Sequence, residues 1–121
     1  MIQPKAAAAA IACLLVSLPA GATYNATATG TVVYVMQDAP SMGYVPETFS
    51  FTITNQPSVS CATFQYFTIS PNSITDAQTR KNMIALVLEA KATGGQIEVA
   101  YDNTGGFCDQ HMIGVYYITE L

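Results

Sequence analysis

Ser73 to Tyr101 reads S-I-T-D-A-Q-T-R-K-N-M-I-A-L-V-L-E-A-K-A-T-G-G-Q-I-E-V-A-Y, and here period, start signal and stop signal agree on one helix followed at once by a strand. Thr75 with Gln78 has capping-box spacing, and Ser73 with Asp76 is a competing register for the first turn. Gly94-Gly95 supplies the left-handed position at which helices end. At about 100° per residue, Met83, Ile84, Leu86, Val87, Leu88 and Ala90 fall on one broad arc, with Arg80 and Lys91 near its ends. That arc is wider than the stripe of about 100° that a one-sided surface helix needs. Two arrangements fit it: a helix plugged deeply into a barrel, or one that packs on its barrel along one edge and meets a second chain along the other. The second would place Met83, Leu86, Val87 and Ala90 at an interface between chains.

Upstream, strands are expected at Gly30–Met36, Thr48–Thr54 and Thr63–Ser70. In the second, Phe49, Phe51 and Ile53 alternate with Thr48, Ser50, Thr52 and Thr54, a half-buried pattern whose polar row reads as a wet face or a ligand platform. Gln37 to Pro46, with two prolines and a glycine, reads as a loop. Downstream, Gln96–Tyr101 alternates again, Asp102–Met112 reads as a long loop, and Ile113–Thr119 reads as the last strand. Strand, strand, strand, helix, strand, strand is the order of the OB-fold, a five-stranded Greek-key barrel. The fold class expected is therefore mainly β with one helix, and an open α+β sheet is the alternative.

Half of the 121 residues are hydrophobic and only 10% are charged. Residues 1–22 have a basic Lys5, an apolar run of about 13 residues, too short for a membrane span of about 20, and a small-x-small ending at Ala20-Gly21-Ala22. They predict a cleaved signal peptide, leaving residues 23–121 as one domain that is secreted or periplasmic. That domain carries Arg80, Lys81 and Lys91 against eight acids, a net charge of −5, which repels a phosphate backbone and argues against nucleic acid. Two cysteines remain, Cys61 and Cys108, and an even pair in an exported chain predicts a disulfide.

His111 is the only histidine, and no nucleophile elbow accompanies it, so no enzyme is expected. Asp102, Asn103 and Asp109 lack calcium-loop spacing, no phosphate-cradling glycine motif is present, and no metal or cofactor is expected. Ligands of OB-folds sit on the second and third strands and the adjoining loops. That geometry, with the aromatic, amide, acidic and hydroxyl groups that suit a sugar, nominates Tyr44, Thr52, Tyr66, Asp102, Asn103 and His111.

The run M-I-A-L-V-L-E-A-K-A-T-G-G-Q-I-E-V-A-Y-D-N-T-G-G-F-C, residues 83 to 108, resembles small exported bacterial proteins related to the receptor-binding B subunits of subtilase-cytotoxin and typhoid-toxin type. The shared features are a leader, an OB-type barrel, a helix ending in a small-Gly turn, a strand, and a cysteine in the loop after it. The resemblance implies a glycan-binding protein that forms a pentameric ring with its helices around a central pore. Set beside it is a monomeric periplasmic or secreted OB-fold protein with a structural, stress-related or inhibitory role.

Overall fold

A computed structural model describes residues 24–38 and 40–121; the expected signal peptide lies outside the described residues. The elements in chain order are β1 (Ala26–Asp38), a 3-10 turn (Pro40–Met42), β2 (Thr48–Ile53), β3 (Phe67–Ile69), α1 (Ala77–Thr93), β4 (Gln96–Tyr101), β5 (Cys108–Asp109), β6 (Met112–Gly114) and β7 (Tyr117–Glu120). The protein is mainly β with one helix. Its strands form one curled, half-barrel sheet in the order β5-β6-β3-β2-β1-β4-β7.

The length of β1 allows the curl. Its first half pairs antiparallel with β4, from Ala26 opposite Tyr101 to Thr31 opposite Gln96, and its second half with β2, from Val32 opposite Ile53 to Asp38 opposite Thr48. At the changeover the β2 end crosses close to Gly30, where a Cβ would stand 2.5 Å from Thr54 Oγ1. Only glycine leaves room for that crossing. An irregularity between Val32 and Tyr34 follows, and as a bulge does, it re-aims the side chains. Val32 is buried beside Ile53, yet Tyr34 pairs with Thr52 on the opposite face. This switch of face breaks the alternation that an undisturbed strand would show.

β3 pairs with β2 antiparallel and with β6 parallel. β6 and β7 stand at opposite sides of the sheet, yet only Val115 and Tyr116 separate them in sequence, and the Tyr116 amide donates to Ala100 O at 2.9 Å. The concave face holds Phe49, Phe51, Ile53, Phe67, Ile69, Ile97, Val99, Ile113 and Val115, all buried. A ring chain runs through it, with Phe51 to Phe67 at 5.3 Å and Phe67 to Tyr101 at 5.8 Å between centroids.

The helix covers this core with a narrow stripe. Arg80, Met83, Val87 and Ala90 are buried, Ile84 and Leu86 are half-buried, and Leu88 is exposed. It is not a deep plug. Three of the four residues expected between chains, Met83, Val87 and Ala90, are taken up by the protein's own core, and Leu86 is partly so. The start differs from both expected registers: Asp76 is the N-cap and its carboxylate accepts from the Thr79 amide at 2.8 Å. A carboxylate is a stronger acceptor than a hydroxyl at this position, and the Thr79 hydroxyl and amide together hold Asp76 below the usual carboxylate range. The stop is as read, with Gly94 at φ 73° donating to Ala90 O.

Four expected elements change, the first being the last strand, expected as one run over Ile113–Thr119 and split at Val115–Tyr116 into β6 and β7. β1 begins earlier, because residues from Ala26 onward pair with β4. The third strand shortens to Phe67–Ile69, since the Gln65 side chain bonds back to Val59 and Ala62 and folds residues 59–65 into a loop. The expected loop 102–112 contains the β5–β6 hairpin.

Cys61 and Cys108 form a disulfide across 47 residues, with their Cα atoms 6.0 Å apart. It ties the loop before β3 to β5. Replacing both cysteines by serine is expected to lower unfolding free energy by about 4 kcal/mol through the freed loop entropy. Urea unfolding of the variant beside the oxidised protein measures this, and a loss under about 1 kcal/mol would contradict it.

Candidate functional site

Cross-strand partners share a face, so the register assigns the convex side of β1, β2 and β3. Tyr34 stands beside Thr52, Met36 beside Ser50 and Asp38 beside Thr48, and Ser50 is followed by Thr68 on β3. Had this been a wet face, the polar row would be exposed. Thr48 and Ser50 are instead fully buried, as is Thr68 on β3, and Asp38 is 3% exposed; further along the row Thr52 is half-buried and Thr54 exposed. Val45 from the Pro40–Glu47 segment and Gln110 from the β5–β6 turn bond to Thr48, at one end of this row.

Gln110 holds that end together. Its Oε1 accepts the Val45 amide at 2.8 Å, its Nε2 donates to Thr48 Oγ1 at 3.0 Å, and the Thr48 hydroxyl donates to Val45 O at 2.6 Å. Beside it, Asp109 accepts from the Ser70 hydroxyl and from Asn72 Nδ2. Glu47, Gln110 and His111 adopt φ of 68°, 55° and 67°, a region that side-chain-bearing residues avoid. All the non-glycine residues with positive φ among the described ones thus fall on the Pro40–Glu47 segment and the β5–β6 turn. Such strain persists where surrounding structure over-determines it, and it concentrates at functional sites.

Next to this row lies an open one. Tyr34 and Tyr66 approach to 5.8 Å between ring centroids, and Tyr66 stacks on Phe64 at 6.4 Å with 21° between planes. Tyr34 is 42% exposed and Phe64 46%. Phe64 then borders a hollow of about 520 Å³ whose other walls are Met42, Gly43, Tyr44, Gln110 and His111. The backbone ties these walls together, since Thr63 and Phe64 both donate to His111 O, at 2.9 and 3.1 Å. The result is an aromatic strip leading into a cleft with amide, imidazole and phenol groups on its rim.

Of the six nominated residues, four meet here: Tyr44 and His111 in the wall of the hollow, Tyr66 in the strip, and Thr52 opposite Tyr34. Asp102 and Asn103 do not. Asn25 donates to Asp102 Oδ1 at 3.0 Å and accepts from the Asn103 amide at 2.8 Å, which fastens the β4–β5 loop to the start of β1. The Thr104 hydroxyl and amide, the chief causes, hold Asp102 below the usual carboxylate range. These two residues shape a turn away from the hollow.

Sequence reasoning missed Tyr34, Met42, Phe64 and Gln110. Tyr34 had no local signal, since simple alternation places it on the face of Val32 and only the irregularity between them moves it to the other. Nothing local distinguishes Gln110, whose role depends on Val45 and Thr48 far away in sequence. Among the described residues, no group of three or more His, Cys, Asp or Glu side chains is placed to hold a metal ion. No helix there is long and apolar enough to cross a membrane.

Asp38 is the electrostatic oddity of the face. Neither carboxylate oxygen, nor the Ser50 hydroxyl near it, has a hydrogen-bond partner among the described residues. Burial pushes the Asp38 carboxyl above its ordinary range, and the nearby Ser50 hydroxyl pulls less strongly the other way.

No family model, curated protein or solved structure matches the chain, so the site is interpreted from its own geometry.

A carboxyl whose folded-state pKa is raised favours the fold while it is neutral, below about pH 4, and that contribution is lost as pH rises through the raised value. Asp38→Asn removes the charge at every pH. The stability of the variant relative to the parent is expected to rise from pH 3 to pH 7, because only the parent must ionise a buried carboxyl over that range. Urea unfolding across pH 3 to 7 checks this, and a relative stability that stays flat or falls with pH would contradict it.

Proposed function

We propose that this chain is an exported, non-enzymatic binding protein that holds a carbohydrate on the convex face of β1, β2 and β3. The observation that carries this is the strip Tyr34–Tyr66–Phe64 opening into the hollow of Met42, Tyr44, Gln110 and His111. Aromatic faces stack on the C–H side of a sugar ring, and amide, imidazole and phenol groups bond its hydroxyls. A mostly apolar concavity with a few convergent polar groups is the usual form of a small-ligand site.

The proposed frame is an OB-type barrel. Taking β6 and β7 as two halves of one strand broken at Val115–Tyr116, and β5 as an addition, leaves five strands with the helix between the third and fourth. β1 shared between β2 and β4, with β3 parallel to the last strand, supports that order, and ligands on the second and third strands are its habit. The disulfide supports a secreted or periplasmic location. A net negative chain supports a partner other than nucleic acid.

For assembly, the resemblance to toxin B subunits favours a pentameric ring. The burial of Met83, Val87 and Ala90 in the protein's own core favours the second possibility, a monomer, because it removes most of the helix surface such a ring would use.

The test is a glycan array probed with the disulfide-bonded protein, followed by titration of any hit using tyrosine fluorescence, since the chain has no tryptophan. Tyr66→Ala and Phe64→Ala are each expected to weaken a genuine hit about tenfold, the scale of one lost aromatic contact. Asp102→Ala should leave affinity unchanged. No hit, or a hit indifferent to Tyr66 and Phe64, would overturn the proposal. Light scattering on the same sample separates the two assemblies: five times the monomer mass supports the ring and a single mass excludes it.

A further inference from the structure

A second concavity lies apart from the hollow just described, lined by Gln37, Glu47, Arg80, Lys81 and Ile84 and about 300 Å³ in volume. Arg80, Lys81 and Lys91 are the cationic side chains of residues 23–121, and two of them meet at this one place in an otherwise acidic protein. Both lie in the early turns of α1, with the Asp76 carboxylate at the N-cap and Glu47 paired to Arg80 as the anions near them.

Arg80 is mostly out of water, with its side chain 7% exposed. One guanidinium nitrogen, Nη1, donates to Ile74 O at 2.8 Å and Thr75 O at 3.1 Å, and Nη2 donates to Glu47 Oε1 at 2.9 Å. A guanidinium has five N–H donors in a planar fork that suits a carboxylate held by two bonds. Glu47 uses the fork through one oxygen, and among the described residues the second Nη2 hydrogen and Nε–H have no acceptor. The Glu47 side of the pair is loosely held: its side chain is 65% exposed and its backbone sits at φ 68°. A well-buried arginine thus meets a solvent-exposed carboxylate on strained backbone, through half of the available fork.

We propose that this concavity binds a carboxylate-bearing ligand, with the Glu47 side chain standing in for the ligand's carboxylate when the site is empty. The incoming carboxylate takes the place of Glu47 on Arg80 Nη2 and gains Lys81 as a second cation. Gln37 lines the same wall, although its amide is engaged with Thr48 O at 2.8 Å. Ile84 supplies an apolar floor for the carbon skeleton. No covalent step is involved, and none of the lining residues belongs to the aromatic strip or the hollow, although Glu47 ends the segment that carries Met42 and Tyr44.

The test is titration of the isotope-labelled, disulfide-bonded protein with sodium acetate at fixed ionic strength, followed by NMR at the Arg80 Nε–H resonance. Glu47→Gln removes the resident carboxylate and should lower the apparent Kd for acetate at least tenfold. Glu47→Gly removes it and also relieves the positive φ, so the same gain is expected even if the first variant perturbs the loop. Lys81→Gln, on an exposed position, should weaken acetate binding in the Glu47→Gly background about fivefold or more. Equal affinity for acetate in the parent and both Glu47 variants, or shifts that never saturate in any of them, would overturn the proposal. Tighter binding of inorganic phosphate than acetate would overturn the assignment of the ligand as a carboxylate.

Discussion

One strand serving two partners is the constraint on which the rest depends. β1 is long enough to pair with β4 over its first half and β2 over its second, and the sheet curls because the two pairings leave the strand in different directions. Gly30 makes the crossing possible by having no Cβ to meet Thr54, and the irregularity at Val32–Tyr34 moves the following side chains to the other face. From that point the concave face receives Val35 while the convex face receives Tyr34, Met36 and Asp38. The core and the candidate site are thus two results of one backbone event.

The two faces are filled by different physics. The concave side is closed by dispersion and hydrophobic burial, with phenylalanine and aliphatic side chains of β2, β3, β4 and β6 against one stripe of the helix. The convex side is closed by hydrogen bonds, with Thr48, Ser70, Gln110 and Asp109 satisfying one another under a short loop. Asp38 and Ser50 are left out of that network, and positive φ at Glu47, Gln110 and His111 adds local backbone cost. Part of this face is therefore held against its own preferences by its surroundings.

The stretch Ser73 to Tyr101 was legible because its signals are local. The apolar spacing gives the helix, Gly94 gives the stop, and Ile97, Val99 and Tyr101 give the inward face of β4, all as observed. Phe49, Phe51 and Ile53 were legible for the same reason. Alternation separates faces, however, and says nothing about what covers them, so burial of Thr48 and Ser50 had no sequence signature. The β5–β6 hairpin was hidden because its turn residues, Gln110 and His111, are not the glycine or asparagine that such φ values call for. Asp102 and Asn103 carried the right chemistry for a site, but loop position has no period, and Asn25 draws them to the start of β1.

The central claim is that the Thr48 end of the convex face is covered by a preformed loop rather than open to water. Native-state hydrogen exchange at the Val45 amide tests it most directly, because that N–H lies in a loop and is held by the Gln110 side chain alone. The account predicts slow exchange there, approaching that of the β2 amides, together with loss of protection in Gln110→Ala. Exchange at the rate of an unstructured peptide in the parent protein would mean that the cover opens freely, and the preformed loop would be contradicted.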